Sequence, residues 1–205
     1  DRRMTFSLVA RCARTGRFGM VISSSSPAVA ARCVHLRSGI GAVASQNVTD
    51  PGLGPLVLDA LAQGLPAAAA LASVTTGRAH IDYRQLLVVD RMGGVAIHSG
   101  RQVLGLWAEA RGVDCAAGGN LLADTGVPAA MVAGFESAAG DLGDRLLADN
   151  PLTLESYVAY AAMNDRFHAL LLDACGNRAL QRAVALNDKL PFAPASAMLP
   201  MQGTV

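Results

Sequence analysis

Strand-like segments in this chain arrive in groups instead of alternating with helices, and that grouping restricts the fold more than any single motif. β-Favouring, largely apolar residues run from Thr5 to Cys12. Thr15-Gly16-Arg17-Phe18-Gly19 then turns the chain, and Gly19-Met20-Val21-Ile22-Ser23 returns as a second strand. Cys33 to Leu36 and Ile40 to Gln46 read as two more short strands around Ser38-Gly39. The later one is nearly continuously apolar, as expected when both faces are covered. Leu53 to Gln63 has helical spacing and stops at Gly64, and Pro66 opens a second helix reaching about Val74. Arg84 to Asp90, Val95 to His98, Val103 to Ala110 and Val113 to Ala117 form a further group of strands. Gly118-Gly119-Asn120 then leads towards helices at Pro128 to Ser137 and Asp141 to Ala148. Strands and helices grouped this way cannot build a doubly wound parallel sheet. The expected fold class is α+β: two mostly antiparallel sheets with helices outside, four layers in the order α-β-β-α.

Beyond Asn150-Pro151 the pattern turns wholly helical. Thr153 can cap a helix running to Cys175, stopped by Gly176, and Asn177 can cap another to about Asn187. Pro191, Pro194 and Pro200 then prevent helix, so the end is expected to be irregular or disordered. The division expected is a main domain over 4–149 and a helical appendage over 150–205. Leu154, Val158, Ala161 and Leu172 share one stripe of the longer tail helix, which a helix pair cannot bury alone. A homodimer or higher homo-oligomer formed through the tail is the corresponding expectation.

The chain has 205 residues, a net charge of +1 and only 16% charged residues, so neither a nucleic-acid-binding field nor acidic disorder is indicated. No apolar run reaches the ~18 residues that a bilayer-crossing helix needs. Cys12, Cys33, Cys115 and Cys175 are scattered, without CxxC spacing. They read as buried thiols of a cytoplasmic protein, with no metal and no cofactor expected.

Chemistry enters at Met4-Thr5. If Met4 is the initiator and is removed, Thr5 carries a hydroxyl nucleophile and, in its free α-amine, a base of pKa roughly 8. The same threonine also reads as the polar first residue of an ordinary strand. Ser23 to Ser26, closed by Pro27, is either a polar edge of a site, with Ser24 a candidate substrate-binding hydroxyl, or a plain loop. Gln46 and Asn47 precede Asp50-Pro51-Gly52, where they can hold a polar substrate or satisfy the turn.

Residues 4 to about 148 resemble the domain-of-unknown-function family DUF1028, of the Ntn-hydrolase-like superfamily. The resemblance is carried in order by several pieces. They are Met4-Thr5-Phe6-Ser7-Leu8-Val9-Ala10-Arg11, Thr15-Gly16 with Gly19, the serine at the end of the second strand, and Gly39-Ile40-Gly41-Ala42-Val43-Ala44-Ser45-Gln46. Gly54-Pro55, Arg84-Gln85 with Val88-Val89-Asp90, Ser99-Gly100 and Gly118-Gly119-Asn120-Leu121-Leu122 complete it. It implies the same α-β-β-α sandwich, with Thr5 as nucleophile of an amide-bond hydrolase whose substrate is undefined. Two departures accompany it: Asp1 to Met4 precede Thr5, and the sheet strands expected after the Asp141-Leu142 helix are missing. Residues 150 to 200 instead resemble a fragment of the effector-binding domain of FadR-like GntR regulators. In that family the spacing of Asn164 and His168 belongs to metal ligands; here the other ligands are absent, and the pair also reads as a packed helix face.

The expected reaction is attack of Thr5 Oγ on an amide or peptide-like small molecule, with the α-amine moving the proton. Asn120 and Gln46 are the candidate oxyanion donors. Arg84 and Asp90 are candidates to orient the amine, although Asp90 reads more readily as the residue that opens the Gly93-Gly94 turn. The alternatives are a non-catalytic binding protein on the same sandwich, or a regulator-like oligomeric binding fragment.

Overall fold

The computed structural model describes residues 4–26, 28–138, 140 and 142. They lie within the first of two units, residues 1–149. Of the expected helix at 141–148 only Leu142 is described; the expected helices at 153–175 and 177–187, the Asn164/His168 pair and Cys175 lie outside the described residues.

The first strand, β1 (Thr5–Arg11), pairs antiparallel with β2 (Phe18–Ser24) across the turn at Gly16, whose φ of 68 requires glycine-like freedom. After the short α1 (Val29–Cys33) come β3 (Val34–Arg37), β4 (Gly41–Asn47), α2 (Leu53–Ala62) and α3 (Ala67–Thr75). A 3-10 turn at Ile81–Tyr83 leads into β5 (Arg84–Asp90), β6 (Val95–Ser99), β7 (Ala108–Gly112), β8 (Cys115–Asn120) and α4 (Val127–Ser137). Two four-stranded sheets result, in the orders β2-β1-β8-β7 and β3-β4-β5-β6, and every pairing is antiparallel. Among the described residues the fold is mixed α+β, with two antiparallel sheets and four helices.

Three apolar clusters separate by strand periodicity. Val43, Leu86, Val88 and Ala96 pack with Leu53, Val57, Leu58 and Leu61 of α2 and with Ala67, Ala70 and Leu71 of α3. Leu8, Ala10, Cys115 and Ala117 pack with Val132 and Phe135 of α4. Val9 and Ala116 of the first sheet meet Ala42, Ala44, Leu87 and Val89 of the second. The small alanines let the two sheets approach closely.

Three expectations are corrected in detail. The strand expected from Cys33 begins at Val34, because Cys33 ends a short helix, Val29–Cys33, that the sequence pattern does not announce. The stretch Val103 to Trp107 is not strand: Gly105 takes φ 64, and Leu104 and Leu106 stand exposed, so only Ala108–Gly112 pairs. The strand expected to end at Ala117 runs on, so Gly118-Gly119-Asn120 is the end of β8 and not the lead-in to a helix, and the chain bends at Leu121, which has φ 53. The two glycines are there for space. A Cβ on Gly118 would lie 2.9 Å from Leu87, and one on Gly119 would lie 2.7 Å from Leu122.

The His35 ring is clamped between β3 and α2, where a Cβ on Gly54 would fall 2.1 Å from it, and its Nε2 is buried without a partner. Burial holds the His35 pKa below its ordinary value of 6.5. The unfolded chain therefore gains a proton, as pH drops below 6.5, that the folded chain resists. Stability is full above that pH and falls on acidification through the window between the unfolded and folded values. Urea unfolding at about pH 7.5 and about pH 5.5 is expected to show a larger loss for the wild-type chain than for His35→Gln.

Candidate functional site

At one end of the inter-sheet space the inner faces change from apolar to polar. Strand periodicity continues Val9 to Ser7 and Thr5 on β1, and Ala44 to Gln46 on β4. It likewise continues Leu87 to Gln85 on β5, and Ala116 to Gly118 and Asn120 on β8. Register brings these residues together: Thr5 opposes both Ser24 and Asn120, and Gln46 opposes Gln85.

The two glutamines are fully buried, so their amides need partners for both ends. Gln46 Oε1 accepts from the Ser7 hydroxyl at 2.7 Å, and Gln46 Nε2 donates to Gln85 Oε1 at 2.8 Å and to the Gly118 carbonyl at 3.1 Å. Gln85 Oε1 also accepts from Asn120 Nδ2 at 3.3 Å. Gln85 Nε2 donates to Ser99 Oγ at 3.1 Å and more weakly to the Ala108 and Gly119 carbonyls, both at 3.4 Å. The Ser99 hydroxyl donates in turn to Glu109 Oε2 at 2.7 Å. Bonds from Ser7, Gln46, Gln85, Asn120 and Ser99 therefore cross between the sheets.

Thr5 stands at the open edge of this layer, half-buried, with its Oγ1 2.8 Å from Ser24 Oγ. Ser24 Oγ also accepts the Ser26 N–H at 3.1 Å, which holds the serine run against β1. The backbone N–H of Ser25 donates to the Met4 carbonyl at 3.2 Å. Cys33 lies near the same edge, 3.6 Å from Thr49 Oγ1, but burial pushes its thiol pKa up and disfavours a nucleophilic thiolate.

Of the residues singled out from sequence, Thr5, Ser24, Gln46 and Asn120 are brought together. Asn47 and Arg84 oppose each other at the same end of the second sheet but serve its loops. Asn47, at φ 74, donates to the Tyr83 carbonyl at 2.6 Å and accepts from the Leu104 N–H at 3.3 Å, while Arg84 donates to the Val48 carbonyl. Asp90 is not brought to the site. It lies at the opposite end of β5, where its carboxylate accepts the N–H groups of Ala67, Met92 and Gly94, so it caps α3 and closes the β5–β6 turn. Sequence reasoning missed Ser7, Gln85, Ser99 and Glu109 as site residues. The available signal was period two: Ser7 and Gln85 are polar positions on otherwise apolar strands, two residues from core positions. Among the described residues, no group of three or more His, Cys, Asp or Glu side chains is placed to hold a metal ion.

Residues 5–149 match the model of DUF1028, a family of unknown function. The crystal structure of protein SPO2555 from Silicibacter pomeroyi, described with the same family model, is similar with a TM-score of 0.68 and 29% identity. The match covers 71% of this chain and 65% of that one, so the chain spans less than two thirds of that protein. No curated protein matches.

The buried amide pair makes a direct stability prediction. Gln46→Leu removes the acceptor of the Ser7 hydroxyl, one of the two donors to Gln85 Oε1 and a donor to the Gly118 carbonyl, and leaves an apolar side chain against all three. At ~1–3 kcal/mol for each buried group left unpaired, the variant is expected to lose at least ~2 kcal/mol in urea unfolding. A loss under ~0.5 kcal/mol would mean the bonds contribute little.

Proposed function

The chain belongs to the DUF1028 family, and on that premise we propose that it is an amide-bond hydrolase of the N-terminal-nucleophile type, with Thr5 as nucleophile. The fold supports this reading through its three apolar clusters, which fit the layer order α-β-β-α of an Ntn-hydrolase-like sandwich. The observation that carries the proposal is the position of Thr5: first residue of β1, opposite Asn120, at the edge of a buried hydrogen-bonded layer.

Removal of Met4 would free the Thr5 α-amine. The amine takes the proton as Thr5 Oγ bonds to the amide carbonyl carbon, then passes it to the leaving nitrogen as the C–N bond breaks. Water attacks the resulting ester, releasing the acid and restoring the hydroxyl. Ser24 Oγ holds the Thr5 hydroxyl in place. Asn120 directs one Nδ2 proton at Gln85 Oε1, which orients its amide and leaves the other proton to serve a developing oxyanion. Gln46 is spent differently: its Nε2 protons go to Gln85 and the Gly118 carbonyl, so its part is to hold Gln85, not to meet substrate. A binding protein on the same fold is the competing reading, favoured by the contact that keeps Met4 seated against Ser25 while it remains.

Intact-mass detection of an acyl adduct, formed with an activated aryl ester, separates the two. A chain beginning at Thr5 is expected to label, the chain beginning at Asp1 and Thr5→Ala are not, and Thr5→Ser is expected to keep part of the activity. Equal labelling of the extended chain, or labelling of Thr5→Ala, would replace the hydrolase reading with the binding one. Thr5→Ala is expected to change stability by less than about 1 kcal/mol, because it removes one half-exposed hydroxyl.

A further inference from the structure

Three primary amides follow one another at the polar end, Gln46, Gln85 and Asn120, and packing does not set their direction. The nitrogen and oxygen ends of a primary amide are nearly equal in size, so a half-turn about the terminal bond exchanges donor for acceptor and changes little else. A hydroxyl beside it can answer either end, because it both donates and accepts. Direction must come from groups that can do only one of the two.

On the Gln46 side that group is the Gly118 carbonyl, 3.1 Å from Nε2. On the Gln85 side it is the carboxylate of Glu109. Ser99 pairs with Gln85 across β6 and β5, and Glu109 opposes Gly118 across β7 and β8. β6 and β7 are edge strands of the two sheets, and the bond from Ser99 Oγ to Glu109 Oε2, 2.7 Å long, joins them. Arg111 Nη1 holds the other oxygen, Oε1, at 3.1 Å. Among the described residues, Glu109 is the only charged side chain bonded to Ser99, Gln85, Gln46 or Asn120.

An ionised carboxylate has no proton to give, so Ser99 must donate to it, and the one hydroxyl proton is then committed. Towards Gln85 the Ser99 oxygen can only accept, so Gln85 faces it with Nε2, at 3.1 Å. That turns Gln85 Oε1 to the side where it accepts from both Gln46 and Asn120, and Asn120 must meet it with Nδ2. The Ala108 and Gly119 carbonyls ask the same of Gln85 Nε2, but at 3.4 Å they are the weaker constraint. The bond to the ionised acceptor is the shorter and stronger one. We propose that Glu109 is a positioning residue of this centre. Acting through Ser99 and Gln85, it fixes which end of the Asn120 amide faces the layer, and so where the remaining Nδ2 proton points. The word centre rests on the hydrolase reading of Thr5; the control of Asn120 does not.

The test reads the two separately. The 15N-labelled full chain is compared as wild type, Glu109→Gln, Ser99→Ala and the double variant, with Asn120→Asp identifying the Asn120 Nδ2 signals. Glu109→Gln keeps the size of the side chain but can donate as well as accept, so it no longer dictates the direction of Ser99. The Asn120 pair is expected to shift, or to split into two pairs, in each single variant. The double variant is expected to match Ser99→Ala alone, because Glu109 acts through that hydroxyl. In the Thr5-initiated chain, Glu109→Gln is expected to slow the maximal rate of acyl labelling at least about tenfold. The ester concentration giving half that rate should change less than about twofold, as for a group that serves the transition state. Unmoved Asn120 signals in either folded single variant, or a further change when Glu109→Gln is added to Ser99→Ala, would overturn the assignment. If Glu109→Gln does not fold, Ser99→Ala, which cuts the same chain, decides by the same signals. A Thr5-initiated chain that fails to label at all removes the hydrolase reading, and the Asn120 signals still decide whether Glu109 sets their direction.

Discussion

A primary amide buried between two sheets has two donors and an acceptor to satisfy and no water to satisfy them with. The Gln46–Gln85 pair meets that demand by reaching across to the other sheet at Ser7, Gly118 and Asn120. The rest of the polar end depends on this. The sheets can approach closely because Ala42, Ala44, Ala116 and Gly118 face the gap. The close approach then brings the two glutamines within reach of partners on the opposite sheet. Once bonded, the amides fix the register of both sheets where β1 begins, since a slip of one residue would send each glutamine to the helical side. Thr5 and Asn120 inherit that precision.

Much of the architecture is legible from local pattern. The grouped strands, the continuous apolar run of β4 and the Arg84–Asp90 strand all appear where periodicity and turn chemistry put them. The elements misread are those decided by distant partners. Gly118 and Gly119 read as leading out of a strand that ends at Ala117, yet they belong to β8, where Leu87, Gln85, Phe6 and Leu122 leave no room for a side chain. Val103 to Trp107 reads as strand because its residues are apolar, and no local rule shows that Leu104 and Leu106 will stand exposed.

The site was legible in part for the same reason. Thr5, Gln46 and Asn120 each sit beside a recognisable boundary, so sequence alone draws notice to them. Asp90 draws equal notice but lies at the far end of its strand, serving backbone N–H groups. Gln85 carries no local signal beyond being polar. It matters because of the four strands that meet around it. Burial and hydrogen-bond partnership are properties of the folded chain, visible only after residues distant in sequence have been brought together.

The central claim is that Thr5 works as a free N-terminal residue at the edge of this amide-stitched layer. It is tested most directly by determining the first residue of the protein isolated from its own cell, by N-terminal sequencing and intact mass. The account predicts a chain that starts at Thr5. A mature protein that retains Met4, or any residue before it, would contradict the account, because Thr5 would then have a peptide nitrogen in place of its base.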